Sequence, residues 1–123
     1  MALEHEELTE RIIGAAIDVH KKLGPGFLES IYENALVIAL EKIGLKVERQ
    51  KEISVIFEGK EIGRHRLDLL VDDTIILELK AVKYFEDVHF AVVRSYLRAF
   101  GLQHGLLMNF SKTVLDVKRV ICK

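Results

Sequence analysis

The run TIILELKA, residues 74 to 81, limits the possible folds more than any other segment. It is apolar on both sides, as a strand in the middle of a sheet with both faces covered must be, so the chain has to supply layers above and below it. Yet it carries Glu78 and Lys80. Side chains alternate along a strand, which puts Ile76, Glu78 and Lys80 on one face and Leu77, Leu79 and Ala81 on the other. Charges in so apolar a strand are expensive when unpaired, and their presence points to a retained purpose. The same spacing also fits a solvated face with a weak ion pair.

A chain of 123 residues, half of them hydrophobic, is long enough for one cored domain spanning residues 1–123 and too short for two. The net charge is −1, but the balance is uneven: 12 acids against 8 Lys/Arg through Glu61, then 7 acids against 10 Lys/Arg from Ile62 onward. That asymmetry fits a phosphate-bearing partner approaching one side and falls short of a dedicated, strongly basic nucleic-acid binder. Cys122 is the one cysteine, so a disulfide framework and a thiolate metal cluster are excluded and a reducing cytoplasm is expected. The opening MALEHEELTERI is acidic and unlike a signal peptide, and no apolar run approaches the roughly 20 residues that cross a bilayer. A soluble protein without membrane partners is expected.

Leu8, Ile12, Ala15, Ala16, Val19 and Leu23 recur at helical spacing, predicting a helix from about Glu6 to Leu23 that Gly24-Pro25-Gly26 stops. A second helix is predicted from about Phe27 to Ile43, with Gly44 as its left-handed terminator. Strands follow at Lys46 to Gln50, Ile53 to Phe57, Ile62 to Val71 and Thr74 to Val82, then a helix from Asp87 to Phe100 and strands at His104 to Phe110 and Thr113 to Ile121. This order gives an α/β sandwich on a mixed sheet rather than a regular βαβ repeat.

In HRLDLLV, the segment before TIILELKA, Arg66, Asp68 and Leu70 share a face. If the two strands form a hairpin, a two-residue loop at Asp72-Asp73 sets Asp68 opposite Leu77, whereas a three-residue loop through Thr74 sets Asp68 opposite Glu78 and Arg66 opposite Lys80. The second register puts two carboxylates side by side, which repel unless a positive charge sits between them. A hard divalent cation such as Mg²⁺ suits such oxygens, with Lys80 ready to hold or activate water. On the second helix Glu29 falls inside the apolar sector, between Leu36 and Leu40, and Glu33 at its edge. Glu29 is thus a candidate third carboxylate for the patch, or simply an acid near a positive helix N-terminus. His89 falls within the apolar sector of the third helix and reads first as a satisfied core histidine.

Three blocks then carry a resemblance: VHKKLGPGFLESIYENAL, with Gly26-x-x-Glu29-x-x-Tyr32; RLDLLVDDTIILELKAV; and YLRAFGLQHGLLMNFSK. In this order they resemble the GxxExxY protein family of the PD-(D/E)XK nuclease-like superfamily. The resemblance implies a restriction-endonuclease-like αβββαβ core with a mixed β-sheet flanked by helices, and Mg²⁺- or Mn²⁺-dependent phosphodiester cleavage of DNA or RNA. It makes Asp68 and Glu78 metal ligands, Lys80 the water-positioning base, and Glu29 the helix carboxylate that completes the site. One departure stands out: Val92 occupies the position where relatives of the RecB-like branch commonly carry Gln, while the following Tyr96 is present. The alternative is a non-catalytic member of the fold, acting as a nucleic-acid-binding or protein-interaction subunit. A homo-oligomer is compatible with either reading.

Overall fold

The structure, a computed structural model, describes residues 5–122. Helices α1 (Glu6–Leu23) and α2 (Glu29–Lys42) precede strands β1 (Val47–Arg49), β2 (Glu52–Phe57), β3 (Lys60–Arg66), β4 (Leu69–Val71) and β5 (Ile75–Lys80). Helix α3 (Asp87–Phe100) and strands β6 (His104–Asn109) and β7 (Asp116–Ile121) complete the order. The main sheet runs β1-β4-β5-β6-β7, with β5 and β6 parallel and the other pairs antiparallel. It is the mixed sheet flanked by helices that the sequence predicts, and β5 is its middle strand.

The two faces bury separate cores. Leu69, Val71, Ile75, Leu77 and Leu79 pack with Ile12, Tyr32, Leu36 and Leu40 under α1 and α2. Leu70, Ile76 and Leu107 pack with Val93 and Leu97 of α3. A strand flanked on both faces has to be apolar on both, which is the pattern of TIILEL. Among the described residues no helix is long and apolar enough to cross a membrane.

The predicted single strand from Ile62 to Val71 is instead folded in two. β3 pairs with β2 in a separate two-stranded sheet, and β4 pairs with β1 in the main sheet. The register is the same on both sides of the fold, with Arg49 opposite Leu69 and Glu52 opposite Arg66. Gln50 N donates to the Asp68 carbonyl at 2.9 Å and Leu67 N to the Lys51 carbonyl at 3.1 Å, so one long hairpin ribbon bends at Gln50 and Asp68 without losing register. Gln50 takes a left-handed φ of 49°, which produces such a bend. The ribbon closes at Glu58 and Gly59, both at positive φ, as the right-handed twist of a tight hairpin prefers. Because of the bend Arg66 pairs with Glu52, its Nε donating at 3.0 Å, and not across from Lys80 as the flat hairpin predicts.

Candidate metal site on the central strand

The β4–β5 connection is the three-residue one. Val71 pairs with Ile75 and Leu69 with Leu77, so the next step along the ladder sets Asp68 opposite Glu78 on the α3 face of the sheet. Asp72 and Asp73 make the turn with φ of 49° and 55°, a conformation that Asp tolerates better than most residues. The turn is tied down by Lys46 N, which donates to Asp72 Oδ1 at 2.8 Å.

Three carboxylates are each held by a backbone amide. Asp68 N donates to Glu78 Oε1 at 3.1 Å, Leu79 N to Asp68 Oδ2 at 2.9 Å, and Ala81 N to Glu29 Oε2 at 3.0 Å. Each therefore spends one oxygen on the backbone. Glu78 is buried and Asp68 half-buried, and among the described residues no fully buried side-chain nitrogen or oxygen lacks a partner. Two adjacent hard oxygen donors fixed by the main chain suit a divalent cation.

The electrostatics agree. Burial, then the neighbouring Asp68 carboxylate, pushes Glu78 up to about 8, against the pull of the Asp68 amide and Lys80. Asp68 is also raised, chiefly by burial, with the Leu79 amide opposing. Two carboxylates that resist ionising together lack a positive charge between them. Lys80 lowers both from a distance.

Glu29 and Glu33 exchange the places expected of them. Glu33 is buried, its Oε2 accepting from Arg49 at 3.1 Å and its Oε1 from Gln50 at 2.7 Å. Glu29 is exposed. Helix α2 starts at Glu29 and not at Phe27, so Glu29 is its first residue, while Glu33 one turn on falls among the buried Tyr32, Leu36 and Val37. From the helix start Glu29 reaches the end of β5. Among the described residues no three His, Cys, Asp or Glu side chains converge on one point, so Glu29 stands beside the Asp68–Glu78 pair rather than in it.

The Gly26-x-x-Glu29-x-x-Tyr32 pattern acquires a physical reading. Gly26 has φ of 110°, closed to residues with a Cβ. The Tyr32 hydroxyl donates to the Gly24 carbonyl at 2.6 Å and accepts from Phe27 N at 3.2 Å, while its ring stacks on Phe110 at 4.6 Å. The signature thus fastens the turn that delivers Glu29 to β5.

Helix α3 walls the cleft. The Tyr96 hydroxyl is raised by burial and then by the charges of Glu78 and Asp68, which places it in their field. Its ring meets His65 edge-on at 4.8 Å, carried there by the bent ribbon. His89 is neither core nor ligand: its Nδ1 accepts from Glu86 N at 2.9 Å and caps α3. Val92 is half-buried on α3. Sequence reasoning missed Asn109, fully buried beside Lys80 in the parallel register, whose side-chain amide binds both the N–H and the carbonyl of Val82 at 3.1 and 2.8 Å. The signal was a lone amide in the apolar run GLLMNF. A groove of about 810 Å³ between α1 and α2, lined by Val19, Ile38 and Ala39 among others, lies away from these residues.

A family model of the PD-(D/E)XK nuclease superfamily matches residues 6–120. Among solved structures, the crystal structure of SSO0001 aligns with a TM-score of 0.61 at 16% sequence identity, over 96% of this chain and 59% of that one. The likeness is one of fold, and the chain spans about three-fifths of that protein's length. No curated protein matches the chain.

Proposed function

The chain belongs to the PD-(D/E)XK nuclease superfamily, and from that premise we propose that it hydrolyses phosphodiester bonds of nucleic acid with a divalent cation held at Asp68 and Glu78. The observation that carries the reading is the pairing itself. Glu78 on the middle strand and Asp68 at the start of the neighbouring strand lie side by side, each with one oxygen held by a backbone amide and the other free of any backbone amide. The donor set suits Mg²⁺ or Mn²⁺, with Glu29 beside it as a further carboxylate. When bound, such an ion polarises the phosphate and offsets the charge that builds on it.

The chain's own groups do the rest. Lys80, two residues beyond Glu78 on the same face, positions the attacking water and places a positive charge beside the phosphate. Tyr96 limits how far the substrate can move towards α3. The GxxExxY identity fits the Gly26, Glu29 and Tyr32 geometry, and Val92 implies that substrate positioning on α3 differs from that of Gln-bearing relatives.

The test is cleavage of single- and double-stranded DNA and RNA with Mg²⁺ and with Mn²⁺, beside the Lys80→Ala protein. Loss of a group acting on the attacking water costs about 10² to 10⁴ in rate. An activity equal in both proteins defeats the proposal. A second reading, a non-catalytic nuclease-fold subunit, draws on the same amide contacts, which would serve a purely structural role equally well; absence of any cleavage together with indifference to metal selects it.

A further inference from the structure

Two exposed aromatic rings belong to segments that meet the end of β5. Tyr84, 61% exposed, lies in the connection from β5 to α3, four residues after Lys80 and so within about 14 Å of it along even a fully extended chain. Phe27, 43% exposed, precedes Glu29 by two residues, within about 7 Å. The Glu29 carboxylate in turn touches Ala81 N, the first amide after β5. One ring therefore comes from the turn before α2 and one from the connection between β5 and α3, both close in the chain to residues at the end of β5.

The backbone that carries each ring is tied to the fold nearby. Phe27 stands edge-on to Tyr32 at 6.0 Å, and Tyr32 is stacked on Phe110. The Tyr84 connection is anchored two residues earlier by the double clamp of Asn109 on Val82. A ring held rigidly in water loses little freedom when something flat settles on it.

Several cations of the β1–β3 ribbon are already paired. Arg49 is paired with Glu33, Lys51 with Glu48, and Arg64 and Arg66 with Glu52. These four ribbon cations could each grip a phosphate only by giving up a carboxylate. A duplex presents its phosphates and hides its base faces, so a protein that tracks one needs uncommitted positive charge. Unpaired bases offer flat faces that stack on aromatic side chains.

We propose that Tyr84 and Phe27 are base-stacking platforms and that the substrate of the site is single-stranded nucleic acid, its bases splayed onto the two rings while the backbone crosses the carboxylates. The inference rests on the nuclease reading for the position of the backbone, and the rings' role in binding can be measured without cleavage. If Lys80 and Lys83, the two lysines next to the end of β5, are the cations that meet the backbone, few counterions are released and the salt dependence is shallow, a slope of about −1.5 in log K against log salt.

The test is fluorescence anisotropy of labelled single-stranded DNA and RNA and of the matching duplexes, with the full chain in chelator so that nothing is cut. Single strands are expected to bind more tightly than duplexes. Tyr84→Ala and Phe27→Leu should each weaken single-strand binding about 5- to 150-fold. Tyr84→Phe, which keeps the ring, should restore it. Thermal melts of each variant identify any loss due to unfolding, and the exposed Tyr84 pair then decides alone. Duplexes bound as well as single strands, equal binding by Tyr84→Ala and Tyr84→Phe, or no binding at all would overturn the proposal. So would sedimentation showing that the parent self-associates through Tyr84 and the Tyr84→Ala protein does not. Cleavage is scored separately with Mg²⁺ and Mn²⁺. A chain that binds single strands through Tyr84 yet never cuts refutes the nuclease reading alone, and one that cuts duplexes with Tyr84→Ala unimpaired refutes the platform alone.

Discussion

Replacing Glu78 by Gln removes the charge that the fold most disfavours. Burial and the Asp68 carboxylate push Glu78 from 4.5 up to about 8, and Asp68 moves in the same direction. An acid that holds its proton more tightly in the folded state than in the unfolded one makes stability fall as pH rises between the two values. For Glu78 the interval runs from 4.5 to about 8. Below it the group is protonated in both states and costs nothing; above it the full penalty is present. At about 1.4 kcal/mol per pH unit the displacement sets an upper bound of about 5 kcal/mol. The titration is shared with Asp68, so about 2 to 3 kcal/mol between pH 5 and pH 8 is the expected change. For a chain of this size that is about 8 to 12 °C in melting temperature.

The Gln side chain keeps an oxygen for the Asp68 amide, so the contact survives while the charge goes. Melts followed by circular dichroism at pH 5 and pH 8, in chelator, should show the parent losing stability with pH and the Glu78→Gln protein melting well above it at pH 8. The difference between the two proteins is the quantity to read, because groups common to both cancel in it. Exposed Glu52, held low by Arg66, and Asp73, held low by Lys46, act at lower pH, where their stabilisation is lost as they become protonated. Added Mg²⁺ or Mn²⁺ should raise the parent's melting temperature at pH 8 and leave the variant nearly unmoved, since a ligand stabilises only the state that binds it. A Glu78→Gln protein that melts lower than the parent at pH 8, beside a parent indifferent to metal, would refute both the repulsion and the metal site.

Three further substitutions probe how the site is held. Tyr32→Phe deletes the bonds to the Gly24 carbonyl and Phe27 N; it should cost about 1 to 3 kcal/mol in denaturant melts and lower cleavage by releasing Glu29, and unchanged stability would show that the turn stands without it. Asn109→Ala strips both bonds from Val82 at a fully buried position; a loss of about 2 to 5 kcal/mol is expected, and hydrogen exchange should speed up in the connection leading to Tyr84. Gly105→Ala would put a Cβ 2.8 Å from Val93 Cγ1 and 3.4 Å from the Ile76 carbonyl, where α3 meets β6. Its overpacking penalty is about 1 to 3 kcal/mol, and a neutral melt would mean that α3 is free to shift.

The pairing of Asp68 with Glu78 is legible in the sequence because hairpin register turns on one integer. With the connection three residues long, Asp68 must face Glu78, and alternation then fixes which side chains share the face. The bend at Gln50 and Asp68 is not legible, because a ribbon that keeps its register has the same side-chain pattern whether flat or folded, and the left-handed φ of Gln50 leaves no mark in composition. The burial of Glu33 is hidden for a related reason. Its partners Arg49 and Gln50 arrive from β1 and the bend, so only the tertiary arrangement decides which of two acids one helical turn apart is enclosed. The bend in turn determines what kind of site this is. A flat ribbon would have set Arg66 across from Lys80, adding a second cation to the acid pair. The folded ribbon sends Arg66 to Glu52 and brings His65 against Tyr96, so Asp68 and Glu78 are left with Lys80 acting from a distance and their mutual repulsion unrelieved. Pattern reading along adjacent strands finds the acids and misses this withdrawal of the arginine, yet the withdrawal is what leaves a gap in charge that a divalent cation is suited to fill.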